Sequence, residues 1–132
     1  MKQILIEKYI KPSKTNSRTK GSYIVECWLN EYGDLHSFMG HPAEICYYNE
    51  RISEQYWYKK GELHRDKNLP AEICYQKYNN KIVTTRKEWY KKGKHYRKNN
   101  LPTVVGYNLF NEELYYEHWH DENGYFVNQK NY

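Results

Sequence analysis

The chain has few cysteines, few prolines and no long apolar run. Its three cysteines, Cys27, Cys46 and Cys74, are odd in number and fit no zinc-ligand spacing, which excludes the disulfide framework of a small secreted domain and a zinc ribbon alike. Cys46 and Cys74 occupy equivalent places in two similar segments. If each segment adds two strands to a sheet, they stand at least ~9–10 Å apart, beyond the ~7 Å between Cα atoms that a disulfide tolerates. They are therefore expected to be reduced, which points to the cytoplasm of the producing or host cell. No stretch approaches the roughly 18 apolar residues of a membrane helix. The apolar Ile4-Leu5-Ile6 behind Met1-Lys2 is too short for a signal-peptide core. No G-x-x-x-x-G-K, G-x-G-x-x-G or H-E-x-x-H pattern occurs, which removes the commonest nucleotide and zinc-hydrolase sites. Hydrophobic residues make up 39% of the chain, below the usual globular share, so a thick apolar core is not expected.

What the chain has instead is rings. Aromatics are 17% of it and 16 residues are tyrosine, which a disordered chain would lack. Tyr and Trp bury large areas while tolerating one wet end, which suits a thin sheet. All four tryptophans fall in step at Trp28, Trp57, Trp89 and Trp119. Each is followed by a glycine, Gly33, Gly61, Gly93 or Gly124. In the first three segments a proline comes next (Pro42, Pro70, Pro102), then an aliphatic residue (Ile45, Ile73, Val105) and a tyrosine (Tyr47, Tyr75, Tyr107). A period of this size signals a repeat architecture.

Each period reads as a β-rich strand up to the tryptophan, a turn at the glycine, a short return strand, a polar loop to the proline, and a second strand such as Ala71–Gln76. Asn79-Asn80, Asn49-Glu50 and Asn111-Glu112 turn that strand into the next one. Helical periodicity is absent. The expected organisation is one domain over 1–132. An N-terminal strand and the polar loop Lys11–Gly21 fill 1–22, repeats follow at 23–50, 51–80 and 81–110, and a capping repeat closes the chain at 111–132.

Charge is uneven. Residues 1–56 balance, residues 57–106 carry 13 basic against 4 acidic side chains, and residues 107–132 carry 1 against 5. In the basic middle, cations alternate with rings: Lys59, Lys60, Arg65, Arg86, Lys91, Lys92, Lys94, Arg97 and Lys98 with Trp57, Tyr58, Trp89 and Tyr90. These are the candidate partner-binding residues. Trp, Tyr and Arg are the residues of protein–protein hot spots. Cations with stacking platforms also serve single-stranded nucleic acid.

The segments WYKKGELHR…LPAEICY (57–75) and WYKKGKHYR…LPTVVGY (89–107), with a looser copy at 28–47, resemble MORN-type repeats of the variant that places a WYKxGxxHR hairpin before a Pro-Ala strand. Such copies occur in bacterial, phage and large DNA virus proteins. The resemblance covers most of residues 23–127. It implies an all-β fold: a single-layer, twisted antiparallel meander of repeated hairpins. It implies binding rather than catalysis and brings no catalytic residues with it. The third segment departs from the pattern, with His95-Tyr96 in place of Leu-His. The Lys-, Asn- and Tyr-rich composition fits an AT-rich genome, hence a phage or viral source.

Catalytic and metal chemistry find little support. His36 and His64 recur at one position and are expected to serve the repeat's own hydrogen bonding. His118 and His120 flank Trp119 on a strand, a metal-like pairing without a third fixed ligand. Each cysteine sits mid-strand with no base or oxyanion device around it. No enzyme activity, metal or cofactor is expected. The expected function is binding of a macromolecular partner, a protein first and nucleic acid as the alternative. Self-association through unpaired sheet edges is open.

Overall fold

The computed structural model describes the backbone of residues 5–12 and 22–132 and the side chains from Ile24 onward. Residues 13–21 of the expected polar loop lie outside the described residues; Lys11 and Pro12 belong to the first strand. The described residues are all-β, with no helix. In chain order the strands are β1 (Leu5–Pro12), β2 (Ser22–Leu29), β3 (Glu44–Tyr48), β4 (Arg51–Tyr56), β5 (Tyr58–Lys59), β6 (Glu62–Leu63) and β7 (Glu72–Tyr78). They continue as β8 (Lys81–Glu88), β9 (Tyr90–Lys91), β10 (Lys94–His95), β11 (Val104–Tyr107), β12 (Leu114–His120) and β13 (Phe126–Asn131). Nine of them form one antiparallel sheet, in the order β1-β2-β3-β4-β7-β8-β11-β12-β13. This is the meander expected from the sequence.

The hairpins β5–β6 and β9–β10 stand apart from that sheet, and the tryptophans cause the separation. At Trp57 the amide donates to Ala71 O in the sheet (2.8 Å), while its carbonyl accepts the His64 amide of its own hairpin (3.0 Å). Trp89 does the same between Thr103 (2.8 Å) and Tyr96 (3.1 Å). The strand therefore changes partner at the indole. The two hairpins then join side by side: Gly93 N donates to Leu63 O at 2.9 Å, as Gly61 N donates to Leu35 O at 2.9 Å one segment earlier. Their side chains reach one face of the sheet, where His95 and Tyr90 contact Glu88 at 3.0 and 3.4 Å, and cover it there. Lys60-Gly61 and Lys92-Gly93 close them as mirror-image two-residue turns, with φ of 50° and 83° in the first. Glycine carries the second position because it alone adopts that backbone without strain.

Why each tryptophan is needed follows from its contacts. Trp57 and Trp89 are 5% and 7% exposed. Their indole N–H groups donate to Gly40 O (2.9 Å) and Asn68 O (3.0 Å), tying down the turn of the preceding segment. Arg65 and Arg97 lie over the two rings at 3.7 and 3.8 Å and donate onward to Pro70 O and Pro102 O, each at 3.0 Å. In the first segment His41 takes that place, edge-on to Trp28 at 4.4 Å with Nδ1 2.7 Å from Pro42 O. The recurrent histidines serve the hairpins. His36 Nδ1 accepts the Lys60 amide at 3.0 Å, and His64 Nδ1 accepts the Lys92 amide at 3.1 Å.

The pleat is interrupted once per segment, between Cys46 and Tyr47, between Cys74 and Tyr75, and between Gly106 and Tyr107. Each bulge adds a residue to the facing strand. Ser53 and Thr85, two of those extra residues, donate their hydroxyls to Cys46 O (3.1 Å) and Cys74 O (3.3 Å). Beyond the bulge the faces exchange, which buries Val83 behind a strand otherwise half-exposed.

Candidate functional site

The covered face is where the charged side chains of the sheet meet. Glu72 on β7 stands directly opposite Glu88 on β8, and Glu88 opposite Val104 on β11, which faces His118 on β12. In the next row Cys74, Arg86, Gly106 and Tyr116 are aligned in the same way. The alternation along Ala71–Gln76 puts Glu72 and Cys74 on the face opposite Ala71, Ile73 and Tyr75. The hairpins cover that face, and Glu72 is only 7% exposed.

The two carboxyls face each other across β7 and β8, and their closeness disfavours charge on both at once. Burial, with the Glu88 carboxylate beside it, pushes Glu72 up to about 7. Burial also works against charge on Glu88, but hydrogen bonds from His95 and Glu72 and the nearby Arg86 outweigh it and hold Glu88 down at about 2. Glu72 thus keeps the proton and Glu88 the charge. Arg86 completes the group, with NH2 3.0 Å from Glu72 Oε1 and Nε 3.3 Å from Glu88 Oε2. The second contact is an ion pair only, since Nε makes no hydrogen bond of good geometry. Arg86 NH2 also lies 3.4 Å from Cys74 Sγ, and burial raises that thiol to about 12.

Two stacked imidazoles close the group from above and from the side. His95 on β10 places Nε2 3.0 Å from Glu88 Oε1 and stacks on His120 with ring centres 4.1 Å apart and planes 14° from parallel. Thr103 donates its hydroxyl proton to His118 O (3.2 Å), so its oxygen accepts from His120 Nδ1 at 2.6 Å. That fixes His120 as the tautomer with a free lone pair on Nε2. Burial, with His95 and His118 alongside, lowers its basicity.

Between these walls a groove of about 440 Å³ runs over β11, lined by Arg86, Glu88, His95, Val104, Tyr116, His118, His120 and Asn131. It exists because β11 presents small residues. Tyr116 lies flat over Gly106, where an added Cβ would stand 2.0 Å from Tyr116 Cε1. Gly106→Ala is accordingly expected to lower stability by about 1–3 kcal/mol through overpacking. The double variant Gly106→Ala/Tyr116→Ala should show less than the sum of the two single losses in denaturant titration. Strict additivity would mean that the ring does not occupy this place.

The thirteen candidate residues from the sequence separate into three places. Lys59, Lys60, Lys91, Lys92, Lys94 and Lys98 are exposed, the first five along the paired hairpins. Trp57 with Arg65, and Trp89 with Arg97, are the stacked pairs described above; the indoles are buried and present no open ring face there. Tyr58, Tyr90 and Arg86 belong to the covered face, where burial raises both phenols and the Tyr90 hydroxyl reaches Glu88 Oε1 at 3.4 Å. The sequence did not single out Glu72, Glu88, Tyr116 or Asn131. The signal available was departure from the repeated pattern. His95 replaces Leu63, Thr103 replaces Ala71, Val104 replaces Glu72, Gly106 replaces Cys74, and His118 and His120 flank the last tryptophan where Glu88 and Tyr90 flank the third. All six positions converge on this groove.

Among the described residues no three His, Cys, Asp or Glu side chains converge to hold a metal ion, and no helix is long and apolar enough to cross a membrane. No family model, curated protein or solved structure matches the chain.

Proposed function

We infer that this chain is a MORN-like repeat protein acting as a non-enzymatic docking module, and that its lysine ridge receives an acidic macromolecular surface, that of a protein in the first instance. The observation that carries this reading is the sorting of charge by the fold. Lys59, Lys60, Lys91, Lys92 and Lys94 are exposed on two hairpins bonded side by side. Of the four acidic residues in the same stretch, Glu72 and Glu88 are turned inward. The outer surface is therefore more basic than the sequence total implies, and such a surface steers acidic partners. A phage or viral accessory protein that meets a host factor in the cytoplasm is the setting this reading fits.

The nucleic-acid alternative draws less support, because it needs stacking platforms beside the cations. Trp57 and Trp89 are covered by Arg65 and Arg97. Fluorescence anisotropy with a labelled glutamate-rich peptide and a labelled oligothymidylate separates the two. Reversal of Lys60, Lys91 and Lys92 to glutamate is expected to weaken peptide binding about tenfold at low salt, from about 0.5 kcal/mol per exposed contact. Unchanged peptide affinity removes the ridge from the account. Tighter binding of the oligonucleotide, with a steep fall in added salt, favours the alternative.

A further inference from the structure

The groove over β11 lies apart from the lysine ridge, and the docking function makes no use of it. Its chemistry is unbalanced in one direction. Glu88 is the one ionised carboxylate in its lining, and its oxygens are already engaged: Oε1 by His95 and Tyr90, Oε2 by Arg86. A cation entering the groove finds no free charged acceptor. The side chains left open are donors or become donors on taking a proton. Tyr116, next to Arg86 in the lining, brings a phenol hydroxyl that both donates and accepts. The His118 ring makes ring contacts with Tyr116 and Phe126. Asn131, exposed on the last strand, adds an amide to the lining, and His120 Nε2 has no hydrogen-bond partner among the described residues.

We propose that this groove is a binding site for an oxyanionic group, a phosphate or a carboxylate, held between the Tyr116 hydroxyl, His118, the Asn131 amide and His120. The volume, about 440 Å³, exceeds that of the anion and is in the range of small-molecule sites, so the group is the head of a larger ligand. The rings of Tyr116, His118 and His120 line the remaining space. Binding takes up a proton, because His120 meets an anion only with Nε2 protonated. The other titratable or charged groups around that proton are Glu72, Arg86, Glu88, Tyr90, His95, Tyr116, His118 and Asp121. The affinity therefore rises as pH falls, opposite to what a cation site at Glu88 would show.

The test is a titration of the whole chain with inorganic phosphate, acetate and methylammonium, at pH 6 and pH 8, followed by the histidine ring resonances in ¹H–¹³C NMR. Saturable shifts of His118 and His120 with either anion, tighter at pH 6, are expected. Phosphate alone assigns a phosphoryl head group, and acetate as well extends the site to carboxylates. Tyr116→Phe keeps the ring over Gly106 and His118→Gln keeps a polar side chain. Each is expected to weaken the anion about tenfold, the value of one charge-assisted hydrogen bond. Lys60→Ala, on the ridge, should leave the affinity unchanged. The proposal is overturned by the absence of saturable shifts, by a response to methylammonium in place of the anions, or by undiminished binding in either variant.

Discussion

Trp89→Ala is expected to cost this chain most of its stability. Loss of a buried indole is worth about 3–5 kcal/mol in transfer and cavity terms. The Asn68 carbonyl then loses its donor, and Arg97 loses the face it rests on. Small domains hold only about 5–15 kcal/mol in total, so the variant should be largely unfolded by far-UV circular dichroism at room temperature, or melt far below the parent. Trp89→Phe separates the contributions. It keeps most of the buried area and the ring under Arg97 but removes the N–H, and should cost about 1–3 kcal/mol, the penalty of an unsatisfied carbonyl. Trp119 is half-exposed and pairs with Asn128 on the last strand, so Trp119→Ala should be milder. Equal losses at Trp89 and Trp119 in urea titration would mean that the change of strand partner at the indole does not anchor the fold.

The same residues show what a sequence can and cannot disclose. The spacing of Trp, Gly, Pro and Tyr suffices to place the hairpins, because turn chemistry is local: Gly61 and Asn79-Asn80 adopt positive φ as their residue types favour. The stacking of Arg65 on Trp57 is equally short in range, eight residues apart, yet the pair read as a surface hot spot. Its burial depends on the chain leaving the sheet at Trp57, and that depends on Ala71, a strand away. The alternation in Ala71-Glu72-Ile73-Cys74 was legible, but not which side would be covered. A glutamate is tolerated inward at this position because Glu88 opposite favours its protonated form and Arg86 reaches it at 3.0 Å, and both come from the next strand. The groove was hardest to see. Its residues lie on β8, β10, β11, β12 and β13, and only their common departure from the repeated pattern links them in the sequence.

The carboxyl pair makes the second large prediction, and it has a sign. Glu72 is raised to about 7 from an ordinary 4.5, so between those values the folded chain holds a proton that the unfolded chain has released. Stability from this group is fully present below about pH 4.5 and is lost as pH rises through 7. Glu88 behaves in the opposite way: its contribution is present above 4.5 and fades as pH falls toward 2. Glu72→Gln replaces the protonated acid by a neutral donor of the same shape, which still serves Glu88 through its amide and Arg86 through its oxygen. At pH 8 this variant should be more stable than the parent by about 2 kcal/mol, a full shift reduced for solvent screening at the groove. The difference should vanish below pH 5. Glu88→Gln removes the anion that Arg86 and His95 both contact and should be destabilised by about 2–3 kcal/mol at neutral pH, short of the cost of breaking a fully buried pair. Urea titrations of the three proteins at pH 4.5, 6 and 8 decide the matter. If instead Glu88→Gln is the variant stabilised at pH 8 and Glu72→Gln the one weakened, the proton resides on Glu88 and the assignment is reversed.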